Sequence, residues 1–159
     1  MRAVIQRVSR AHVRLTGDDD PSATSTGFDG EGLVVLLGVT HEDTTAEAEL
    51  LADKIFGLRI LAGERSCAQA GAPLLVVSQF TLHADVRRGR RPSWSRAAPG
   101  PVSEPLYESF VSALRRLGAR VHTGRFGADM EVELVNDGPV TLVVDTEDLQ
   151  RPRRESGSV

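Results

Sequence analysis

The sequence predicts a single globular domain that contains both β-strands and α-helices. Its 159 residues make up one ordinary domain. Short runs of β-branched and apolar residues, separated by turn formers, predict several strands, and two segments repeat apolar residues at helical spacing. The hydrophobic fraction of 40% is enough to fill one core at this length. Neither an internal repeat nor a domain boundary interrupts the pattern.

The N-terminal part predicts a strand, a long loop and a central strand. Residues 2–15 alternate in part and are rich in β-branched side chains, which predicts one strand or two short ones. Residues 16–32 are mainly turn formers and acids around the lone Phe28, so we expect a long hairpin loop there. Residues 33–39 form a continuous apolar run, which is typical of a strand covered on both faces.

The middle of the chain predicts a helix and a second buried strand. Residues 44–57 carry apolar side chains near helical spacing, with capping residues before them and acids in the first turn. Residues 59–61 are compatible with a short strand, and residues 62–73 form a connection of small residues. Residues 74–77 are a continuous apolar strand that runs directly into polar residues.

The C-terminal part predicts a second helix, three short strands and a tail. The helix spans residues 101–118, with Gly118 where a C-terminal cap belongs. The strands are predicted at residues 121–123, 130–135 and 140–144, the last two joined by a turn at 136–139. Residues 147–159 mix charge, Pro and Ser with little apolar content, so we expect disorder there and a folded domain of residues 1–146.

Composition excludes several classes of protein. A charged fraction of 26% with a net charge of −3 argues against a disordered chain, and no apolar run approaches the roughly 20 residues that cross a bilayer. The first residues carry no signal-peptide pattern, so we expect a cytoplasmic protein without a membrane partner. Cys67 is the only cysteine, which excludes an intramolecular disulfide and a cysteine-rich zinc site.

Arginine dominates the basic residues, because Lys54 is the only lysine among 19. Genome composition explains such a bias as well as selection does, so placement is more informative. Five arginines and the only tryptophan fall within ten residues: Arg87, Arg88, Arg90, Arg91, Trp94 and Arg96. Arginine beside an aromatic ring suits phosphates and single-stranded nucleic acid. The alternative for this run is a solvated surface loop.

Standard catalytic motifs are absent from the sequence. There is no nucleophile elbow, phosphate-binding loop, dinucleotide fingerprint or zinc-protease motif, and the four histidines lack ligand spacing, so neither a metal nor a cofactor is predicted. Thr81 and His83 would share one face of a strand, but no third group is evident to orient such a dyad. Hydroxyls such as those of Ser78 and Thr81 more often bond the backbone.

Two polar segments lie where predicted strands end. Residues 78–82 read Ser-Gln-Phe-Thr-Leu, and residues 136–141 read Asn-Asp-Gly-Pro-Val-Thr. A Gly-Pro bond can be cis at a cost of only about 0.5–1 kcal/mol, so the second segment could direct its carbonyls into a pocket. Taken alone, that segment is more simply a hairpin.

Five strings together resemble one family, the D-aminoacyl-tRNA deacylases, also called D-Tyr-tRNA deacylases. They occur in the family's order at roughly its spacing, over residues 1 to about 145. The strings are Gln6-Arg7-Val8, residues 78–82, Arg90-Arg91-Pro92-Ser93-Trp94-Ser95, residues 123–130 (Thr-Gly-Arg-Phe-Gly-Ala-Asp-Met) and residues 136–141. The resemblance implies a homodimer of α+β protomers, with two β layers and helices packed on one face, and active sites near the dimer interface.

The resemblance also implies a reaction. Members of this family hydrolyse the ester between a D-amino acid and the terminal adenosine of tRNA, and they remove glycine mischarged on the tRNA for alanine. The segment matching Ser78, Gln79, Phe80 and Thr81 lines the pocket, where its backbone N–H groups can hold the ester. The ribose 2′-hydroxyl is thought to assist hydrolysis, and Thr81 as nucleophile is the older alternative.

Further residues take roles from the same resemblance. Gly138 and Pro139 match a cis pair whose carbonyls enter the partner protomer's pocket and exclude L side chains. Arg7 matches an arginine that helps to fix that pair. The other residues expected to contact substrate are Met130, Asn136, Val140 and Thr141, and those expected to contact the tRNA are Arg87, Arg88, Arg90, Arg91 and Trp94. The expected partner is tRNA and not DNA.

The sequence departs from the family pattern in two places. Residues 16–32 are longer and more acidic than usual, and residues 62–73 are shorter and lack a Met-Asn pair that is common there. The second change is expected to affect the shape of the adenosine or amino-acid site. An RNA-binding dimer that has lost hydrolytic activity through this segment therefore stays open. A small-molecule esterase is a further alternative, although the sequence shows no nucleophile–base pair for it.

Overall fold

The computed structural model describes residues 1–16 and 25–151, and its described part is an α+β protein. The long strands come first and last, with the helices between them or at the C-terminal end. The elements are β1 (Arg2–Leu15), β2 (Thr26–Gly38), α1 (Thr45–Gly57), α2 (Cys67–Ala70), β3 (Leu74–Ser78), α3 (Gly100–Arg116), β4 (Val121–Thr123), β5 (Met130–Asp145) and α4 (Thr146–Gln150). Single 3₁₀ turns lie at Ala62–Glu64 and Phe80–His83.

The strands form one mixed sheet in the order β4-β3-β2-β1-β5. β1 pairs with β2 and with β5 in antiparallel fashion, whereas β3 is parallel to both β2 and β4. The two continuous apolar runs occupy β2 and β3 near the centre of the sheet, and the first of them, residues 33–39, was predicted to be covered on both faces. All four apolar residues of β3 are buried as well. This prediction is confirmed, since both faces of the central strands carry a core.

The two β layers implied by the resemblance are not separate sheets in the described protomer. Register shifts interrupt the β1–β2 pairing between Val8 and Arg10, and the β1–β5 pairing on both sides of Val8. Such bulges bend strands and increase their twist. Beyond the bend, Ala11, Val13 and Phe28 belong to one buried cluster with residues of β2 and β3. The outer parts of the long strands therefore cover the second face of their own sheet.

The helices cover the other face, as expected. Thr44 caps the start of α1: its side chain accepts a hydrogen bond from the Ala46 N–H, and the Glu47 carboxylate accepts one from the Thr44 N–H, which together form a capping box. α3 packs Phe110 and Leu114 into the main core and ends before Gly118, whose φ of 93° suits the glycine at that position. No helix of the described residues is long and apolar enough to span a membrane.

Several predicted boundaries are wrong. β2 begins at Thr26, within the predicted 16–32 loop, because the outer half of β1 needs a strand partner. Phe28 is buried in the cluster that also contains Ala11 and Val13. Residues 17–24 of the predicted loop lie outside the described residues. Residues 59–61 do not form a strand, since Leu61 makes only an isolated bridge to Arg65. The connection 62–73 contains α2, which Ser66 and Gln69 cap reciprocally.

The C-terminal part also differs from prediction. Residues 136–139 do not form a hairpin: β5 runs through them as one strand, and both of its halves pair with β1. Disorder was expected over residues 147–159, but residues 147–150 lie in α4. Residues 152–159 are outside the described part of the chain. Thr146 is buried at the start of α4, where its hydroxyl accepts from the Met1 amino group at 2.7 Å, and Leu149 packs on the core.

Candidate active site

A cleft of about 420 Å³ opens at the C-terminal end of β3. Parallel strands present their carboxyl ends to ligands in many α/β proteins, and here the polar segment that follows β3 forms one wall. The opposite walls come from the start of α3 and from the loop before β5. The lining residues are Leu37, Val39, Val77, Ser78, Gln79, Phe80, Ala98, Gly100, Ser103, Phe126, Gly127, Ala128, Asp129, Met130 and Val132.

Ser78, Gln79 and Phe80 of the predicted segment line this cleft, although not as a strand, whereas Thr81 follows them on a 3₁₀ turn and does not line it. β3 ends at Ser78, the Gln79 N–H donates to the Leu37 carbonyl at 2.7 Å, and the chain then turns into the 3₁₀ segment. The side-chain amide of Gln79 donates to the Thr81 hydroxyl oxygen. Within the described chain, the N–H groups of Phe80 and Thr81 have no acceptor, because the first N–H groups of a helical turn lack an internal partner.

Gly38 allows this turn to pack closely on β2. A Cβ added at Gly38 would lie 3.0 Å from the Gln79 carbonyl oxygen and 3.0 Å from Cδ2 of His83. Any side chain there would displace the segment that carries Ser78–Thr81. Gly38 is thus a determinant of the cleft that sequence reasoning missed.

The Thr81–His83 dyad considered from the sequence is wrong. The two residues lie on a 3₁₀ turn, and Thr81 has Gln79 as its partner. His83 is 5% exposed and lines a different cavity, beside Arg2, and its Nε2 has no partner among the described residues. Burial lowers the pKa of His83 below its ordinary value of 6.5, which favours a neutral imidazole.

The loop before β5 contributes more of the cleft than the sequence predicted. Only Met130 was expected there, yet Phe126–Asp129 line the cleft as well. The backbone at Gly124 approaches Met130 closely, since a Cβ would lie 2.4 Å from the Met130 sulfur. Phe126 also packs against Tyr107 with 5.9 Å between ring centroids and an interplanar angle of 50°. The Tyr107 hydroxyl donates to the Val76 carbonyl at 2.9 Å. Residues 123–130 supported the family resemblance, and the same string contains the residues 126–129 that line the cleft.

Gly138 and Pro139 are joined by a cis peptide bond and are exposed, but they do not line the cleft of their own protomer. They lie opposite Arg7 on β1, at the level of Leu33 and Leu74, whereas Ser78 at the cleft lies four residues further along β3. Four residues of strand correspond to about 13 Å. The two halves of the predicted site are therefore apart.

Arg7 and Asn136 hold the Gly-Pro segment. Arg7 donates to the Asp137 carbonyl at 3.2 Å and to the Ile60 carbonyl at 3.3 Å, and it forms an ion pair with the Asp137 carboxylate at 3.0 Å. Asn136 donates to the Arg7 carbonyl at 3.0 Å and to the Val140 carbonyl at 3.3 Å. Val140 and Thr141 follow on β5, where the Thr141 hydroxyl accepts from the Gln6 amide at 3.3 Å.

The connection 62–73 lies outside the cleft of its own protomer, contrary to expectation. It leads into the N-terminal end of β3, while the cleft is at the C-terminal end. Glu31 anchors it by accepting from the Ala62 N–H at 2.7 Å and from Arg65 at 3.3 Å. The shortened segment therefore lies near the same end of β3 as Gly138 and Pro139, and away from the cleft.

The arginine run forms a hairpin that an Asp85–Ser93 bridge closes. Arg87 is committed to this hairpin, because its Nε lies 2.9 Å from Asp85 Oδ1 and 3.0 Å from Oδ2, which holds the pKa of that carboxyl below its usual range. The other arginines of the run are exposed and form no ion pair with any described residue; they are Arg88, Arg90, Arg91 and Arg96.

The hairpin meets the cleft through an aromatic pair. Trp94 packs edge-to-face on Phe80 with 5.3 Å between ring centroids, and both side chains are about half exposed, Phe80 at 54% and Trp94 at 44%. Phe80 also lines the cleft, so the pair forms part of its rim. Two apolar ring surfaces next to a basic hairpin can stack on a nucleobase.

The cleft itself carries little charge. Asp129 is the only ionisable side chain among its described lining residues. Across residues 1–16 and 25–151, no group of three His, Cys, Asp or Glu side chains is placed to hold a metal ion. The chemical resources of the cleft are thus backbone N–H groups, the polar side chains of Ser78, Gln79 and Ser103, and one carboxylate.

Solved structures share this α+β fold. A structure described as "c-Myc DNA Unwinding Element Binding Protein" matches with a TM-score of 0.80 and 37% identity, over 91% of this chain and 98% of that chain. A second, described as "Structural Analysis of a probable eukaryotic D-amino acid tRNA deacylase", has a TM-score of 0.76 and 16% identity, over 90% and 97% of the two chains. At that identity the second match concerns the fold alone.

Sequence comparison places the chain more narrowly. The model of the family described as "D-Tyr-tRNA(Tyr) deacylase" matches residues 4–145. A D-aminoacyl-tRNA deacylase of Kocuria rhizophila is 59% identical over 97% of this chain and 99% of the relative, and one of Cutibacterium acnes is 60% identical over 93% and 99%. The chain belongs to the D-Tyr-tRNA deacylase family, and the resemblance inferred from the five strings is confirmed.

Proposed function

We propose that this protein hydrolyses the ester bond of D-aminoacyl-tRNA in the cleft beside Ser78–Thr81. Family membership supports the reaction class. The observation that carries the assignment to this cleft is the pair of N–H groups on Phe80 and Thr81, which have no acceptor among the described residues, at the turn that follows β3. Because the substrate is charged tRNA, we place the activity in the cytoplasm.

The proposed chemistry relies on the backbone and the substrate. The N–H groups of Phe80 and Thr81 hold the ester carbonyl and stabilise the negative charge that develops on its oxygen. Water adds to the carbonyl carbon, the bond to the ribose 3′-oxygen breaks, and that oxygen takes a proton. We assign assistance in the proton transfers to the neighbouring 2′-hydroxyl. Support comes from the described cleft, where no hydroxyl is paired with a histidine.

We propose that Gly138 and Pro139 exclude L side chains from the cleft of a partner protomer in a homodimer. Their exposure supports this arrangement, as does their position about 13 Å along the sheet from Ser78. Carbonyl groups entering the cleft would clash with an L side chain, while a D side chain or the hydrogen of glycine points elsewhere. The same steric logic admits glycine mischarged on the tRNA for alanine.

We assign the tRNA backbone to the exposed arginines of the hairpin and a nucleobase to Phe80 and Trp94. Each phosphate contact releases counterions, so the affinity for tRNA falls as the salt concentration rises. Replacing Arg88, Arg90 or Arg91 by Ala should make the plot of log affinity against log salt shallower, by about 0.7–0.9 in the magnitude of its slope. Arg87→Ala should change the slope less, because Asp85 already pairs with it. Equal slopes for all four variants and the wild type would contradict the assignment.

Single-turnover deacylation of D-Tyr-tRNA by the wild type and Thr81→Ala tests the chemistry. We expect rapid hydrolysis by the wild type and a rate within about tenfold for the variant, since Thr81 contributes mainly its N–H group. A loss beyond the roughly 10²–10⁴-fold typical of an acid–base helper would make Thr81 the nucleophile. Binding of tRNA without hydrolysis by the wild type would replace the proposal with the RNA-binding dimer, and hydrolysis of simple esters without RNA would favour the esterase.

Arg7→Ala tests the role of the Gly-Pro segment. The variant loses the contacts of Arg7 to the Asp137 carbonyl and carboxylate and should deacylate L-Tyr-tRNA faster than the wild type. Arg10→Ala is a matched control, because Arg10 lies on the same strand and pairs only with exposed Glu133. Sedimentation of the wild type should give a dimer. A monomer that still discriminates fully between D-Tyr-tRNA and L-Tyr-tRNA would contradict the proposal that a partner protomer supplies Gly138 and Pro139.

A further inference from the structure

We propose that Arg2 is a positioning residue, which holds the 3₁₀ turn Phe80–His83 in place through the Leu82 carbonyl. This proposal rests on the proposed function, because that turn carries the two N–H groups assigned to the ester carbonyl. Arg2 does not line the cleft, and its Nη1 donates to the Leu82 carbonyl oxygen at 3.1 Å. The hydrogen bond ties the start of β1 to a turn that is 80 residues away in the sequence.

Asp145 fixes the guanidinium group of Arg2. The Nε of Arg2 lies 3.0 Å from Asp145 Oδ1, and its Nη2 lies 3.0 Å from Asp145 Oδ2, a two-point contact that sets the orientation of the planar group. Arg2 and Asp145 are also direct partners in the β1–β5 pairing. The sheet therefore sets the position from which Nη1 reaches the Leu82 carbonyl.

The turn itself contributes few backbone hydrogen bonds. The Leu82 N–H donates to the Gln79 carbonyl at 3.3 Å, and the Ala84 N–H donates to the Thr81 carbonyl at 3.1 Å. The last carbonyls of a helical turn lack internal partners, so they are available to side chains. Among the described residues, Arg2 is the only donor to the Leu82 carbonyl.

Arg2 holds the end of the turn opposite to the one that Gly38 accommodates. A Cβ at Gly38 would lie 3.0 Å from the Gln79 carbonyl oxygen, at the beginning of the turn, and Arg2 is the direct partner of Gly38 in the β1–β2 pairing. Leu82 lies near the end of the turn. The two N–H groups lie between these contacts, so loss of the Arg2 contact should let them move relative to the ester.

The test compares Arg2→Met, which keeps most of the aliphatic stem and removes the donors, with Arg2→Lys and Asp145→Asn. Single-turnover deacylation of D-Tyr-tRNA at increasing enzyme concentration gives the limiting rate and the half-saturating concentration separately. We expect Arg2→Met to lower the limiting rate by about tenfold, because a 1 Å misplacement can cost about 100-fold. The half-saturating concentration should stay unchanged, because Arg2 does not line the cleft. Arg2→Lys can still donate to Leu82 and should recover part of the rate, and Asp145→Asn should lose less than Arg2→Met.

Arg10→Met is the matched control, because Arg10 also lies on β1 and pairs with a carboxylate of β5, that of Glu133. It should leave both constants unchanged. An unchanged limiting rate in Arg2→Met, or an equal loss in Arg10→Met, would overturn the proposal. A change confined to the half-saturating concentration would make Arg2 a tRNA contact and would overturn it as well.

Hydrogen exchange of the turn separates this proposal from the proposed function. The Leu82 and Ala84 amides should exchange about tenfold faster in Arg2→Met than in the wild type, and at wild-type rates in Arg10→Met. Equal acceleration of the β3 amides would show a general loss of stability and would contradict a local role. If the wild type leaves D-Tyr-tRNA intact, the proposed function fails, whereas the exchange rates still decide whether Arg2 holds the turn.

Discussion

Replacing Gly38 by alanine is expected to damage the cleft without touching substrate. The new Cβ would lie 3.0 Å from the Gln79 carbonyl oxygen, 3.0 Å from His83 Cδ2 and 3.1 Å from His83 Nε2. Contacts shorter than 3.4 Å are rare for real Cβ atoms, so the turn must move by a few tenths of an ångström. The backbone at Gln79 resists that movement, because the Gln79 N–H donates a hydrogen bond to the Leu37 carbonyl at 2.7 Å.

Both stability and rate should respond to Gly38→Ala. Overpacking of this kind costs about 1–3 kcal/mol in the free energy of unfolding. Since a 1 Å misplacement can cost about 100-fold in rate, a shift of a few tenths should slow deacylation by about 3- to 10-fold. Urea unfolding and single-turnover deacylation of D-Tyr-tRNA measure the two effects.

Gly57→Ala is the matched control, because a Cβ at Gly57 meets nothing within 4 Å. It should leave the deacylation rate unchanged and increase the free energy of unfolding by up to about 1 kcal/mol, through the higher helix propensity of alanine. If Gly38→Ala unfolds and deacylates like the wild type, the close contact at Gly38 does not position the turn.

Three further predictions concern buried groups. Tyr107→Phe should lower the free energy of unfolding by about 1 kcal/mol in urea titrations, because it removes the hydrogen bond to the Val76 carbonyl; an unchanged midpoint would contradict this. Burial raises the pKa of the Cys67 thiol to about 12, so alkylation at pH 8 should require unfolding, and rapid labelling of native protein would refute that. The lowered pKa of His83 means that the unfolded chain binds more protons below pH 6.5, so stability should fall as pH decreases through 6.5. His83→Gln should lose less stability than the wild type between pH 7.5 and 5.5, and equal losses would count against the buried neutral imidazole.

The central strands and the two long helices were predictable because their patterns reflect burial directly. Residues 74–77 are apolar throughout, and β3 is covered on both faces. The errors arose where tertiary contacts override local signals. Asn136–Pro139 has the composition of a turn, but strand pairing with β1 on both sides keeps it within β5. Residues 26–32 look like a loop, but their pairing with the outer half of β1 makes them a strand.

The site was predictable in part, and for a different reason. Ser78–Phe80 and Met130 were identified through the resemblance, and the structure brings them to one cleft. Asp129 stood in the same string as Met130, but nothing local distinguishes a cleft carboxylate from a solvated one. Gly38 gave no signal either, because the close approach of Gln79 depends on the pairing of β2 with β3.

The assignment as a chiral editing deacylase is tested most directly by single-turnover deacylation of three substrates by the wild type. The substrates are D-Tyr-tRNA, the tRNA for alanine carrying glycine, and L-Tyr-tRNA. We expect rapid loss of the D-tyrosyl and glycyl esters while the L-tyrosyl ester stays intact. Hydrolysis of the D and L esters at the same rate would contradict steric rejection by Gly138 and Pro139. Three intact esters would contradict the deacylase assignment itself.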